Sequence, residues 1–196
     1  DAGSGTFRLT LRLYELAHRQ NSTVLLRRAA LLPMDALAEE TGQSCHLSVQ
    51  LGSLLLVLME RTPTRRVCLA VGEGTTLPLS QSASGLVLLS RMTDEVAQQV
   101  LKDDPHYQAA ELLDRKAINA SLLKIRQTGY FVVNSDLTAG GMDIAISVGV
   151  DNTDTAAVID IPFISRANES DARTELYLKA AQACAAQINR NLGIEA

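Results

Sequence analysis

Two runs in the C-terminal half of the chain alternate bulky apolar residues with small or polar ones. They are Asp143–Val150 (DIAISVGV) and Ala156–Ile164 (AAVIDIPFI). Alternate side chains of a β-strand share a face, so the isoleucines and valines of the first run lie opposite Asp143 and its small neighbours. The bulky face predicts core. A carboxylate on the small face is costly without a partner, which indicates the floor of a ligand pocket.

Helical patterns fill most of the remaining chain. A helix is predicted from the Asn21/Ser22 cap region to Thr41, with Pro33 inside it and Gly42 as its stop. Asp103–His106 predicts a helix break in a solvated turn. Further helices are predicted at Ser80–Ala83 onward, Thr93–Leu101, Ala117–Thr128 and Asn168–Leu192, the last with an apolar stripe of Leu176, Ala180, Cys184, Ile188 and Leu192.

Additional strands are predicted at Ser44–Gln50, Leu54–Arg61, Arg66–Val71 and Tyr130–Val133. The short link between the first two is typical of a hairpin. Strands scattered among helices, with three strands predicted to be hairpin neighbours, favour an antiparallel arrangement. The predicted fold class is α/β: a PAS/GAF-like sandwich with a mostly antiparallel twisted sheet flanked by helices.

Composition narrows the function classes. The chain has 196 residues, 46% of them hydrophobic, which suits one domain with a substantial core. A net charge of −4 and a pI near 5.4 argue against nucleic-acid binding by this chain alone. No apolar run is long enough to span a bilayer, so we expect no membrane partner and a cytoplasmic location. Three cysteines without metal-type spacing indicate reduced thiols.

Four motifs, in order along the chain, resemble the C-terminal effector-binding domain of the IclR family of bacterial transcription regulators. The motifs are MDALAEETGQSCHLSV (Met34–Val49), LPLSQSASGLVLLS (Leu77–Ser90), IRQTGY (Ile125–Tyr130) and GGMDIAI (Gly140–Ile146). The stretch Thr6–Ala17 is similar to the last wing strand and linker helix of that family.

The resemblance implies a ligand-sensing domain rather than an enzyme. It divides the chain into a wing remnant and interdomain linker helix at residues 1–21 and an effector-binding domain at residues 22–196. It further implies DNA binding through a missing N-terminal winged helix-turn-helix, a small-molecule effector, no other cofactor, and a homodimer or homotetramer. The linker residues Leu9, Leu13 and Leu16 form an apolar stripe compatible with a partner helix.

The resemblance also places the effector pocket between the sheet and the helix that follows Leu77–Leu79. Ala83 and Ser84 match the small residues whose backbone amides approach the effector, although serines there also suit simple helix capping. Asp143 stands where the family usually has a cysteine or small polar residue. Asp160 and Pro162 replace a Ser-x-Ser pattern, and Val133 falls where an acid is common.

Two pocket acids in place of hydroxyls alter the expected ligand. Two buried carboxylates repel, and one of them should hold a proton. This predicts an amine, a polyol or a ligand with a cationic end. A metal ion between Asp143 and Asp160, with His46 or Cys45 as further ligands, is an alternative. In the remaining interpretation, one of the two acids faces solvent or pairs with an arginine such as Arg66.

Other functional classes have weaker sequence support. The chain has no Gly-x-Ser-x-Gly, phosphate-loop, His-Glu-x-x-His or Cys-x-x-Cys motif, so no enzyme signature is present. The second class that stays open is a GAF- or PAS-type sensory or dimerisation module of another signalling protein. A metal-binding module of that type is included in this alternative. The wing-like stretch before residue 18 favours the regulator.

Overall fold

The computed structural model of the chain describes residues 22–64, 68–135, 139–151, 153–165 and 170–194. The expected wing and linker segment, the arginine Arg66 and the expected helix cap Asn168 lie outside these ranges.

Six strands form one sheet in the order β3-β2-β1-β6-β5-β4, and every neighbouring pair is antiparallel. The strands are β1 (Cys45–Leu51), β2 (Leu54–Arg61), β3 (Thr76–Pro78), β4 (Tyr130–Asn134), β5 (Gly141–Val148) and β6 (Ala157–Ile164). The register pairs Ile146 with Ile159 and Ala145 with Asp160, so the bulky faces of β5 and β6 coincide. The predicted antiparallel sheet with flanking helices is confirmed.

Six α-helices and one short 3₁₀ turn complete the described structure. They are α1 (Ser22–Thr41), the turn Leu79–Gln81, α2 (Ala83–Ser90), α3 (Asp94–Lys102), α4 (Pro105–Ala109), α5 (Leu112–Thr128) and α6 (Ser170–Asn191). Helix α1 continues through Pro33 and stops at Gly42, where the positive φ of 64° suits a glycine. None of the described helices has the length and apolarity needed to cross a membrane.

The sheet separates two hydrophobic clusters. Helices α1 and α6 cover one face, where Ile144, Ile159 and Phe163 are buried. The ring of Phe163 meets Tyr177 of α6 edge to face, with the ring centroids 5.2 Å apart. Helices α2 and α5 cover the opposite face, which carries Ala145 and the polar residues of the strands. The large-side-chain face is therefore a filled core, and the small-side-chain face leaves room for a site.

The predicted strand Arg66–Val71 is wrong. Residues 68–71 lie outside the sheet, and the third strand is the three-residue β3 instead. The carbonyl of Leu69 accepts a hydrogen bond from the Ser44 hydroxyl. This side-chain bond holds the apolar segment beside the start of β1, in place of backbone pairing between strands. Cys68 is accordingly half-buried rather than a core residue.

Three helical predictions also need correction. Helix α5 begins at Leu112, five residues before the predicted start, and the segment predicted as a helix break contains the start of α4. In α6, Leu176 is 54% exposed, whereas the neighbouring Tyr177 is buried with Ala180, Cys184 and Ile188. A strict spacing of four residues rotates by about 40° per step around a helix, so it leaves the buried face.

Candidate functional site

A cavity of about 480 Å³ lies between helix α2, helix α5 and the β4–β5 side of the sheet. The turn before α2 and its first residue contribute Ser80–Ala83 to the wall. Helices α4 and α5 contribute His106, Tyr107 and a row from Asp114 to Ser121, while Asp143 lies on the sheet side. Pockets of about 300–1,000 Å³ hold small organic molecules, so this volume suits such a ligand.

The wall that leads into α2 is fixed by local hydrogen bonds. The Ser82 hydroxyl accepts from the Gly85 amide at 3.1 Å and donates to the Pro78 carbonyl at 3.1 Å. It therefore caps the helix and ties it to the preceding turn. At Gly85 the packing is tight, because an added Cβ would lie 2.1 Å from the Leu79 carbonyl oxygen. Only glycine lets the turn and the helix approach this closely.

The Asp104 side chain connects two segments of the cavity wall by hydrogen bonds. The sequence predicted a solvated turn at Asp103–His106, but the Asp104 side chain is buried. Its carboxylate accepts from the backbone amides of His106 and Tyr107, which makes it the cap of α4, and from the Ser80 amide at 3.1 Å. One carboxylate thus connects two separate wall segments. The prediction of a solvated turn is wrong for Asp104, whereas Asp103, Pro105 and His106 are exposed.

Asp160 lies under helix α2 and is 3% exposed. The Ser84 hydroxyl donates to its Oδ2 at 2.7 Å, which links α2 to strand β6. Its Oδ1 has no hydrogen-bond partner among the described residues. Burial raises the pKa of Asp160 well above its ordinary value, and the nearby charge of Asp143 raises it further, against a smaller lowering by Ser84. Burial and the nearby Asp143 therefore favour the neutral form of Asp160, which links helix α2 to the sheet.

Asp143 is half-buried and lies on the cavity wall. In the sheet its neighbours are Val133 on β4 and Pro162 on β6. Asp143 is the more accessible of the two acids, and its charge contributes to the raised pKa of Asp160. The cavity thus has a carboxylate on its sheet side.

His46 is the cross-strand neighbour of Asp160 on β1 and is 4% exposed. Burial lowers the pKa of His46 to about 4, so the imidazole is neutral near pH 7. Its Nδ1 has no hydrogen-bond partner in the described part of the chain. His46 therefore adds a buried polar group beside Asp160, on the same face of the sheet.

The metal alternative finds little support in the geometry. Cys45 belongs to the opposite face, where its thiol donates to the Met34 carbonyl and burial raises its pKa. It cannot join His46 around a common ion, because adjacent strand residues point to opposite faces. Across the described ranges, no group of three or more His, Cys, Asp or Glu side chains is arranged to hold a metal ion.

The structure divides the six predicted site residues into two groups. Ala83, Val133 and Asp143 lie on the cavity wall. Ser84, Asp160 and Pro162 lie beside it: the first two form the buried link between α2 and β6, and Pro162 is the sheet neighbour of Asp143. The sequence did not indicate which of the six residues would line the cavity and which would lie behind its wall.

Several wall residues were absent from the sequence-based set. They include Ser80, His106, Tyr107, Asp114, Ala117 and Ser121. Asp104-Pro105 is a cap followed by proline, which is a helix-start signal that could have located the α4 part of the wall. The wall residues of α5 recur at intervals of three or four. This is a weaker signal for a cavity, because the spacing shows only that the residues share one face of the helix.

A second cavity of about 510 Å³ lies on another part of the surface, near the start of α1 and the end of α2. Its wall includes Gln50, Arg91 and Asp154. Arg91 is engaged in an ion pair with Asp151 at 2.7 Å. No residue predicted to bind an effector lies on this wall, which makes the first cavity the stronger candidate.

Comparison with known proteins identifies the family of the chain. The chain matches the family described as bacterial transcriptional regulator IclR C-terminal over residues 18–190. It is 30% identical over 135 residues to the HTH-type transcriptional regulator TtgV of Pseudomonas putida, a match that covers 68% of this chain and 50% of TtgV. The chain thus spans about half the length of that relative.

Solved structures share the fold at lower identity. An IclR transcriptional regulator from Silicibacter sp. TM1040 superposes with a TM-score of 0.80 at 19% identity, over 98% of this chain and 76% of that one. An IclR homologue from Microbacterium hydrocarbonoxydans, complexed with 4-hydroxybenzoate, superposes with a TM-score of 0.73 at 23% identity. The match covers 95% of this chain and 75% of that one.

An antiparallel sheet with one closed core and a cavity of this volume on its other face is typical of a ligand-sensing domain. The chain belongs to the IclR family and corresponds to the C-terminal, effector-binding domain of its transcriptional regulators.

Proposed function

We propose that the cavity between α2, α5 and the sheet is the effector site of this domain. The observation that carries the proposal is the convergence of polar groups from separate elements, among them Ser80 and Asp143, on one cavity of suitable volume. The homologue complexed with 4-hydroxybenzoate supports small-molecule binding by this fold.

The site offers a route for a binding signal. Helix α2 contributes to the cavity wall and is tied to the sheet by the hydrogen bond from Ser84 to Asp160. A ligand that contacts the start of α2 can favour one position of this helix over another. Such a shift requires different affinities for the two states of the protein, which is the condition for regulation at a distance.

The wider regulatory role is part of the same proposal. We infer that residues 1–21 are a wing remnant and linker helix, that residues 22–196 form the effector-binding domain, and that DNA is bound by an N-terminal part of a longer protein. The match to one half of TtgV supports this division. We also propose that the protein is a homodimer or homotetramer in the cytoplasm with a sensing rather than a catalytic role, and membership of a family of transcriptional regulators supports this.

A pair of substitutions on helix α5 tests the cavity. Ala117 and Ala120 are both exposed alanines of this helix, but only Ala117 lies on the cavity wall. In a thermal-shift screen of carboxylates, aromatic acids, amines, polyols and divalent metals, we expect at least one compound to raise the melting temperature. Ala117→Trp should remove that shift because the indole occupies the cavity, whereas Ala120→Trp should keep it.

Circular dichroism should show that both variants retain the helical content of the parent. A ligand that stabilises Ala117→Trp as strongly as the unmodified chain binds elsewhere, and that result would contradict the proposal. Loss of the thermal shift in both variants would also count against the proposal, because Ala120→Trp does not change the cavity wall.

A further inference from the structure

The side chain of Asp104 joins two parts of the cavity wall that are distant in sequence. Its Oδ1 accepts hydrogen bonds from the amides of His106 at 2.9 Å and Tyr107 at 3.3 Å, and its Oδ2 accepts from the Ser80 amide at 3.1 Å. Hydrogen bonds to a carboxylate are about twice as strong as neutral ones. Asp104 is 1% exposed and lies behind the wall rather than on it. It therefore positions wall residues without offering a group to a ligand.

The turn that carries Ser80 forms one rigid unit with helix α2. The Ser82 hydroxyl bonds both to the Pro78 carbonyl and to the Gly85 amide, so it holds the turn against the start of the helix. The contact between Gly85 and the Leu79 backbone is too close to admit even a methyl group. Close-packed contacts of this kind transmit a displacement instead of absorbing it. A movement of Ser80 is therefore passed on to α2.

A second unit consists of α4 and the first half of α5, residues 105–121, which we call the arm. Arg115 donates to the carbonyls of Gln108 and Ala110. Its guanidinium also lies over the Tyr107 ring, 5.2 Å from the centroid. These contacts hold the two helices of the arm together. Every α5 residue of the arm is at least partly exposed, so this part borders the cavity without being locked into the core.

We propose that Asp104 is the positioning residue that couples the arm to helix α2, so that a ligand which contacts only the arm also displaces α2. This inference rests on the proposed function of the cavity as the effector site. Coupling between separate parts of a protein is carried by packed contacts and hydrogen bonds between rigid elements, and Asp104 connects two such elements. The displacement of α2 then bears on the hydrogen bond from Ser84 to Asp160, which ties this helix to the sheet.

Two substitutions separate the coupling role of Asp104 from helix capping. In Asp104→Ser, the short hydroxyl can cap α4 but leaves no second oxygen for the Ser80 amide. In Asp104→Asn, the side-chain oxygen can cap α4, while the side-chain nitrogen is a donor and cannot accept from Ser80. Serine and asparagine are favoured N-cap residues, so both variants should keep α4. Asp103→Asn is the matched control, because it makes the same chemical change at an exposed neighbouring acid.

Amide hydrogen exchange, measured by NMR on the labelled 196-residue chain, first checks that the connection is broken. The Ser80 amide is bonded to a buried carboxylate, so it should exchange slowly in the parent. Loss of a charge-assisted hydrogen bond predicts exchange about tenfold faster or more in both Asp104 variants. Each rate is divided by that of Ile159 in the opposite core, so that a general loss of stability cancels.

A perturbation of the arm then tests the coupling itself without a ligand. Arg115→Gln removes the guanidinium contacts described above, which involve residues of the arm alone. We expect it to speed exchange of the Gly85 and Leu86 amides at the start of α2 severalfold, in the parent and equally in the Asp103→Asn background. In both Asp104 backgrounds the same substitution should leave these two rates unchanged, because the connection is already lost. A residue that only capped α4 would not produce this difference.

Three results would overturn the coupling. Unchanged α2 rates on Arg115→Gln in the parent would show that the arm does not act on this helix. An effect of full size in the Asp104 backgrounds would show that the coupling takes another route. Loss of helical content in both Asp104 variants would make this residue purely structural. Each result is independent of any ligand, so the comparison of Ala117→Trp with Ala120→Trp still decides separately whether the cavity is the effector site.

Discussion

The carboxyl group of Asp160 lies between helix α2 and the sheet, with Ser84 as donor to one oxygen. Its neighbours with titratable groups are His46 on β1 and Asp143 on β5. Burial lowers the pKa of His46 and raises that of Asp160, so both residues favour their neutral forms. A buried neutral cluster of this kind makes the stability of the domain depend on pH.

Asp160→Asn should expose that dependence. The pKa of Asp160 is raised in the folded state above its ordinary value of 3.8, so the unfolded chain loses this proton first as the pH rises. The stability contributed by the neutral acid is full below pH 3.8 and is lost as the pH rises toward the raised pKa. The variant should therefore gain free energy of unfolding relative to the parent above about pH 4, by up to about 1.4 kcal/mol per pH unit.

Urea unfolding of both proteins between pH 4 and pH 8 measures this difference. His46 and Asp143 are present in both proteins, so their own titration largely cancels in the comparison. A difference in free energy of unfolding that stays constant with pH would mean that Asp160 titrates normally in the folded domain.

At the level of single residues, alternation along the strands located much of the site. Asp143 was predicted as part of a pocket floor from its place among small residues, and it does lie on the cavity wall. The supporting role of Asp160 was not predictable, because burial under α2 depends on how the helix packs on the sheet. The same holds for Asp104, whose three amide donors come from two separate segments.

Helix α2 is the element on which both the core and the cavity depend. All eight residues from Ala83 to Ser90 are buried, and they pack against the sheet and against α5. The contact between Gly85 and the Leu79 carbonyl sets how closely the helix approaches the turn that carries Ser80. This packing determines where the cavity wall lies.

Gly85→Ala should destabilise the domain. The added methyl would lie 2.1 Å from a backbone oxygen, so the turn or the helix must move, and overpacking of this kind costs about 2 kcal/mol or more. Gly72→Ala is the matched control, because its Cβ would meet nothing closer than 4.0 Å. Chemical denaturation should show a change within about 0.5 kcal/mol for the control. Equal stabilities for the two variants would show that the close approach is absent.

Among the elements, those with strong local signals were predicted and those set by tertiary context were not. Helix α1 ends at its predicted glycine, and α3 begins one residue after its predicted start at Thr93, whose side chain caps the helix. Strand β3 has three residues at the edge of the sheet, too few for an alternating pattern. The run after Arg66 has the composition of a strand, but residues 68–71 find no neighbouring strand with which to pair.

On the scale of the whole molecule, the sheet separates two different tasks. Helices α1 and α6 cover one face, where large aliphatic and aromatic side chains form a close-packed core. The other face carries α2, α5 and the cavity, so ligand contacts act on helices rather than on the central core. Helix α1 follows the segment proposed to be the linker, and we propose that it passes changes in the domain toward the DNA-binding part.

Chemical-shift mapping of the labelled chain with the tightest-binding compound tests the central claim most directly. We predict that the largest amide shifts fall on Ser80–Ala83, Ile118–Ser121 and Phe131–Asn134, which border the first cavity. Shifts concentrated instead around Gln50, Met92 and Ala156 would place the ligand in the second cavity and contradict the effector site proposed for this domain.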